Sequence, residues 1–227
     1  MDWTYSGKKL ESKNNLHRYL KLPFDIKKHP MCETVPDSYA HYDLDPYRDN
    51  LFEEWNRSLG LTTMHVEMFY TPPNGGELPI HADDVVINDR AKINITWGPA
   101  EGTFRWWTSD KVKIINSAKE AREMLGSELL IDDSATSIGK GDQWSDKKEG
   151  EHINLMARKE DCTLVYECNT NIPSLVNVGQ LHSTWNPSTE PRWTLCFMSG
   201  SAAIRDGAYL TFEEACEAYQ DFIIGEY

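Results

Sequence analysis

His81-Ala82-Asp83 is the first place in the sequence where chemistry suggests itself. Residues two apart in an extended strand leave the same face. An imidazole and a carboxylate would then stand side by side, able to hold a divalent metal. A third ligand has to come from elsewhere. His182, in Gly179-Gln180-Leu181-His182-Ser183-Thr184-Trp185-Asn186, stands just before another strand-like run. Two histidines and one carboxylate on one face of an ion would leave three positions open. Plainer roles stay open too. An isolated H-x-D arises by chance in many proteins, Asp83 can sit in a turn beside a solvated Asp84, and a lone histidine is more often structural than a ligand.

Arg192 lies ten residues after His182 and opens the run Trp193-Thr194-Leu195-Cys196-Phe197. An arginine there can project into a barrel interior beside a metal. A buried guanidinium needs an anionic partner, and its planar fork suits a bidentate carboxylate. The alternative is a structural salt bridge to one of the chain's many acids.

These residues must be positioned by strands. Thr63–Tyr70 and Lys92–Trp97 alternate apolar and polar positions, while Phe104–Thr108, Thr163–Cys168, Ser174–Val178 and Trp193–Met198 are short, aromatic or β-branched, and bounded by turn residues. Pro72-Pro73-Asn74-Gly75-Gly76 reads as a turn. Three helices are expected. One is capped by Asp45-Pro46 and carries Leu51, Phe52, Trp55 and Leu59 up to Gly60; one starts at the capping box Ser117/Glu120 and ends at Gly126; the last starts at the box Thr211/Glu214 and shows Ala215, Tyr219 and Phe222. Strands in the middle with helices mostly at the ends predict a mainly β protein, a curved or barrel-like sheet braced by helices. Residues 1–227 read as a single domain, with a polar surface insertion at about 127–161 that could act as a lid.

Composition narrows the function. Acidic residues outnumber basic ones, 36 against 23, for a net charge of −13. Such a surface repels phosphate backbones and argues against a nucleic-acid partner. No apolar run reaches the length of about 18 residues that a membrane helix requires, and Met1-Asp2-Trp3-Thr4-Tyr5 lacks the order of a signal peptide. Five cysteines (Cys32, Cys162, Cys168, Cys196, Cys216), with no C-x-x-C pair, fit free thiols in a reducing cytoplasm. A cytoplasmic location is therefore expected.

The order and spacing of His81-x-Asp83, His182 and Arg192 resemble those of the Fe(II)- and 2-oxoglutarate-dependent dioxygenases, over roughly residues 63–198. The resemblance implies a double-stranded β-helix core, of the jelly-roll or cupin-like kind. It implies Fe(II) held by His81, Asp83 and His182, with Arg192 pairing with the far carboxylate of 2-oxoglutarate. O2 would be the third cofactor. Residues 69–76 look like the strand and loop before the metal motif in prolyl-hydroxylase-like members, where a tyrosine reaches the co-substrate. Tyr70 becomes a candidate, with a barrel-core aromatic as the alternative. The run from Arg90 to Trp97 is similar to the strand after the motif, where Asn94 can face the site or turn away. Arg105 can bind a ligand or stack on tryptophan at the surface.

The implied reaction is hydroxylation of a peptide, protein or small molecule with release of succinate and CO2. An aspartate at 83, where a halogenase would leave room for a halide, favours hydroxylation. The competing reading is a cupin-like metal- or ligand-binding protein without turnover.

Overall fold

The computed structural model describes residues 15–36, 39–44, 49–83, 90–115, 154–201 and 209–224. In chain order the strands and helices are β1 (His17–Leu20), β2 (Ala40–Asp43), α1 (Asn50–Ser58), β3 (Thr62–Thr71), β4 (Gly76–Glu77), β5 (His81–Ala82), β6 (Ala91–Trp97), β7 (Thr103–Thr108), β8 (Lys113–Ile115), β9 (Asn154–Met156), β10 (Thr163–Asn169), β11 (Ser174–Asn177), β12 (His182–Asn186), β13 (Arg192–Gly200), α2 (Phe212–Ala218) and β14 (Ile223–Ile224). All six strands expected from the sequence form, with ends moved by a residue or two. At the predicted turn, Asn74 and Gly75 take positive φ before β4 begins.

Eight of these strands make one long antiparallel hairpin that is rolled up. β3 pairs with β13, β5 with β12, β6 with β11, and β7 with β10. Two further pairings, β13 with β6 and β12 with β7, close the roll into two facing sheets. The first runs β14-β1-β11-β6-β13-β3-β2 and the second β10-β7-β12-β5-β9-β8. This strand order is that of a double-stranded β-helix, the jelly-roll architecture.

The pleat divides the first sheet into two unlike faces. Val66, Met68, Tyr70, Ile93, Ile95, Trp193, Leu195 and Phe197 belong to one apolar cluster with the helices. Phe52 of α1 stacks on Phe197 at 3.8 Å, and Trp55 stacks on Tyr219 at 4.9 Å. Burying such a side chain contributes about 1.5–3 kcal/mol. The opposite face, turned into the roll, carries Glu67, Lys92, Asn94, Arg192 and Thr194, all buried. Polar groups are buried there at a cost that only partners or a ligand can offset.

Both helices start where a side chain satisfies a free backbone N–H. α1 is capped by Asp49, whose carboxylate accepts from the Phe52 N–H at 3.0 Å; the cap expected at Asp45-Pro46 lies outside the described residues. α2 has the capping box expected at Thr211 and Glu214. The Ser117/Glu120 helix and residues 127–153 of the expected insertion lie outside the described residues. At the end of the expected insertion Asn154–Met156 form β9, which pairs with β5, register His81 to Met156, and so belongs to the second sheet. The five cysteines are free, as expected. No helix among the described residues is long and apolar enough to cross a membrane.

One buried polar knot ties the helices to the sheet. Asn56 donates to Thr63 Oγ1 at 3.0 Å and to Ser199 Oγ at 2.9 Å, and accepts from the Tyr219 hydroxyl at 2.8 Å. Replacing Asn56 with Ala removes three buried hydrogen bonds and leaves the Tyr219 hydroxyl donating to Ser199 Oγ alone, at 2.8 Å, so the variant should lose about 3 kcal/mol of stability in urea unfolding; a loss within experimental error would show that the knot is dispensable.

His17 lies buried against the rings of Tyr19, Trp106 and Tyr166. Burial, with Arg18 adding to it, pushes its pKa down to about 4 from 6.5. The unfolded chain therefore binds a proton that the folded chain refuses. Stability attributable to His17 is complete above pH 6.5 and falls as pH drops toward 4, by about 3 kcal/mol in all. A His17→Phe variant should lack this component when the two proteins are compared by urea unfolding at pH 7 and pH 4.5; equal slopes would refute it.

Candidate metal centre

The roll brings the two distant histidines together as register partners. His81 of β5 stands opposite His182 of β12, with ring centroids 4.4 Å apart. β5 ends at Ala82, and Asp83 follows in a bend fixed by its N–H donating to the Val178 carbonyl at 3.0 Å. Asp83 Oδ1 lies 3.0 Å from His81 Nε2 and 3.7 Å from His182 Nε2. One donor atom from each of the three residues falls within 4.8 Å of the others.

The second nitrogen of each ring is tied to the backbone two residues earlier. His81 Nδ1 meets the Pro79 carbonyl at 2.8 Å, and His182 Nδ1 meets the Gln180 carbonyl at 2.9 Å. A carbonyl can only accept, so each Nδ1 carries the proton and each Nε2 presents a lone pair to the centre. Phe104 stacks on the His182 ring at 5.0 Å and 10°. Burial, then the neighbouring His81, push the His182 pKa down to about 3, keeping the ring neutral at physiological pH. Burial alone would raise the Asp83 carboxyl. Lys92, the His81 contact and His182 together outweigh it and hold the group well below the usual carboxylate range.

This donor set fits a small divalent metal. Ligand atoms at right angles, each about 2.1 Å from an ion, are about 3.0 Å apart; the Asp83–His81 pair stands at 3.0 Å and the Asp83–His182 pair at 3.7 Å. Two neutral imidazoles and one ionised carboxylate are the ligand types that such ions accept at a site with open positions.

Around the donors lies a cavity of about 390 Å³ including its mouth, lined among others by Phe69, Thr71, Lys92, Asn94, Thr184, Thr194 and Cys196. Asn94 thus faces inward, and its Oδ1 is buried without a hydrogen-bond partner among the described residues. Tyr70 does not face the site. Phe69 and Thr71 take the inward positions of β3, so the pleat sends Tyr70 to the helix side, where its ring meets Trp193 at 5.0 Å. Arg105 points to the outside of the second sheet, stacked 4.1 Å over Trp185 and paired with Glu77 and Glu167.

Arg192 is 1% exposed and does not line the cavity. It reaches across to Thr170, to which its Nη2 donates, while Nε and Nη1 are buried without a partner among the described residues. Space for it comes from Gly102, where a Cβ would lie 2.6 Å from Arg192 Cδ. Burial lowers its pKa to about 10, so it remains a cation at neutral pH.

Sequence reasoning passed over Glu67, His41 and His65. Glu67 receives Lys92 at 2.7 Å and lies 3.4 Å from both His41 and His65. Counting by twos along β3 from Phe69, or along β6 from Asn94, would have found Glu67 and Lys92.

The chain matches no protein-family model and no curated protein. Among solved structures it is similar to EvdMO1, at 14% identity and a TM-score of 0.34, over 74% of this chain and 40% of that one. It is also similar to oxalate oxidase in complex with the substrate analogue glycolate, at 15% identity and a TM-score of 0.26, over 80% and 72% of the two chains. The chain thus spans 40% of the length of EvdMO1. Strand order, not these likenesses, defines the class: a jelly roll with a buried His-Asp-His group where β5 meets β12.

Replacing His81, Asp83 or His182 with Ala should each lower Mn(II) affinity by more than about a hundredfold, because loss of a direct ligand exceeds the cost of losing an outer-shell partner. Calorimetric titration checks this, and any of the three variants binding as the parent does would remove that residue from the ligand set.

Proposed function

We propose that the protein is an Fe(II)- and 2-oxoglutarate-dependent oxygenase that hydroxylates a peptide, protein or small-molecule substrate with release of succinate and CO2. The observation that carries this reading is the buried Arg192 guanidinium, two of whose N–H-bearing nitrogens have no partner among the described residues. A buried cation left so is expensive, and a carboxylate brought by a ligand would satisfy it.

Charge balance supports a dianion. Among the described residues the roll buries two carboxylates, Asp83 and Glu67, and two cations, Lys92 and Arg192. They cancel. A divalent metal would add two positive charges to a low-dielectric interior, and 2-oxoglutarate carries two negative ones. Arg192, Thr194 and Cys196 take successive inward positions on β13, so Arg192 stands about 13 Å along the strand from Cys196. A five-carbon diacid and an arginine, end to end, bridge such a distance. His81, Asp83 and His182 would hold the iron, which when bound supplies the activation of O2. Arg192 would orient the diacid, and Phe104, Phe69 and Leu78 would keep water from the cavity.

A second reading is a cupin-like metal- or ligand-binding protein without turnover. It is favoured by the position of Arg192 outside the cavity lining and by its bond to Thr170.

Succinate formation from 2-oxoglutarate with Fe(II) and air separates the two. The oxygenase reading expects succinate, abolished by a chelator and restored by Fe(II). Arg192→Ala should raise the 2-oxoglutarate requirement about a hundredfold, the scale of removing one partner of a buried charge pair, with iron affinity nearly unchanged. Metal uptake without succinate under any condition would support the second reading instead.

A further inference from the structure

One buried cation has no place in the ligand set and yet touches it. Lys92, on β6, is 5% exposed and pairs with Oδ2 of Asp83, the carboxylate oxygen turned away from the two histidines. It is itself held in place. Its ammonium also meets Glu67 Oε2 at 2.7 Å, and the other Glu67 oxygen, Oε1, lies 3.4 Å from His41 Nε2 and 3.4 Å from His65 Nε2. His65 in turn stands 3.7 Å from Asp43. The chain of contacts runs Asp43, His65, Glu67, Lys92, Asp83, across β2, β3 and β6 to the bend after β5.

We propose that Lys92, braced by Glu67, is a positioning residue for the metal centre: by occupying Oδ2 it leaves Asp83 able to give a metal only Oδ1. This rests on the metal reading of His81, Asp83 and His182. Two physical consequences follow. A carboxylate bound through one oxygen would take a single coordination position and leave the others to exogenous groups. The ammonium also draws charge from the carboxylate, which weakens the metal's hold. The centre is thus tuned for access at the expense of affinity.

The consequence has a sign that a merely structural role lacks. Removing Lys92 restores the full charge of Asp83 and frees Oδ2, so Lys92→Met should bind Mn(II) about tenfold more tightly than the parent. Removing the charge of Glu67 leaves Lys92 to Asp83 alone, so Glu67→Gln should bind Mn(II) more weakly, by about tenfold. If Lys92 only supported the fold, both variants would weaken binding. Lys92→Arg keeps the cation and should return affinity toward that of the parent.

Lys92→Met leaves Glu67 buried without its cation, so the double variant Glu67→Gln/Lys92→Met, which removes one charge of each sign, provides a second arm. It should fold as judged by circular dichroism, bind Mn(II) more tightly than the parent, and show an altered Co(II) visible spectrum because Oδ2 has become available. If the parent takes up no Mn(II), the metal centre and this inference fall together. If the parent binds but the folded Lys92→Met or double variant binds equally or more weakly, or the Co(II) spectrum does not change, the positioning role is overturned while the metal centre stands.

Discussion

An ionised carboxylate taken out of water loses more solvation energy than one ordinary hydrogen bond returns, so it persists only in charged or metal-bound company. Asp83 is such a group. It is buried at the centre of a rolled sheet, with two imidazole nitrogens on one oxygen and an ammonium on the other. That ammonium brings a second carboxylate, Glu67, and Glu67 brings two further histidines. The polar interior is a consequence of one buried charge and the groups required to keep it there.

The architecture makes this affordable by separating two jobs on the two faces of one sheet. Stability comes from the outer face, where α1 and α2 cover aliphatic and aromatic side chains and Phe52 stacks on Phe197. The inner face is released from that duty and can carry Lys92, Asn94, Arg192 and Thr194. Tyr70 and Phe69 show the division at a single peptide bond: one ring joins the outer core, and its neighbour lines the cavity.

Rigidity at the centre comes from backbone carbonyls. Both histidines donate Nδ1–H to a carbonyl two residues earlier, at Pro79 and Gln180, which sets the tautomer and aims both Nε2 atoms at one point. The bond lies within each local turn and the pairing of β5 with β12 lies between them. Local chain geometry therefore orients each ring, and sheet register supplies the distance.

Much of this was legible in the residues. Residue types and spacing named His81, Asp83 and His182, alternation found two strands and short aromatic or β-branched runs between turns found four more, and the Thr211/Glu214 box marked α2 where it forms. These features are local, or rest on chemistry that few residue types can do. Which face of a strand turns inward is not local, because alternation reads the same from either side; so Tyr70 and Asn94 stayed open until the sheets closed on one face and the helices on the other. The Lys92–Glu67 brace and the burial of the Arg192 guanidinium, with Thr170 its one hydrogen-bond partner among the described residues, were likewise decided by tertiary structure. Sequence carries the charge of a side chain, but whether that charge meets water, a partner or neither depends on what the fold places beside it.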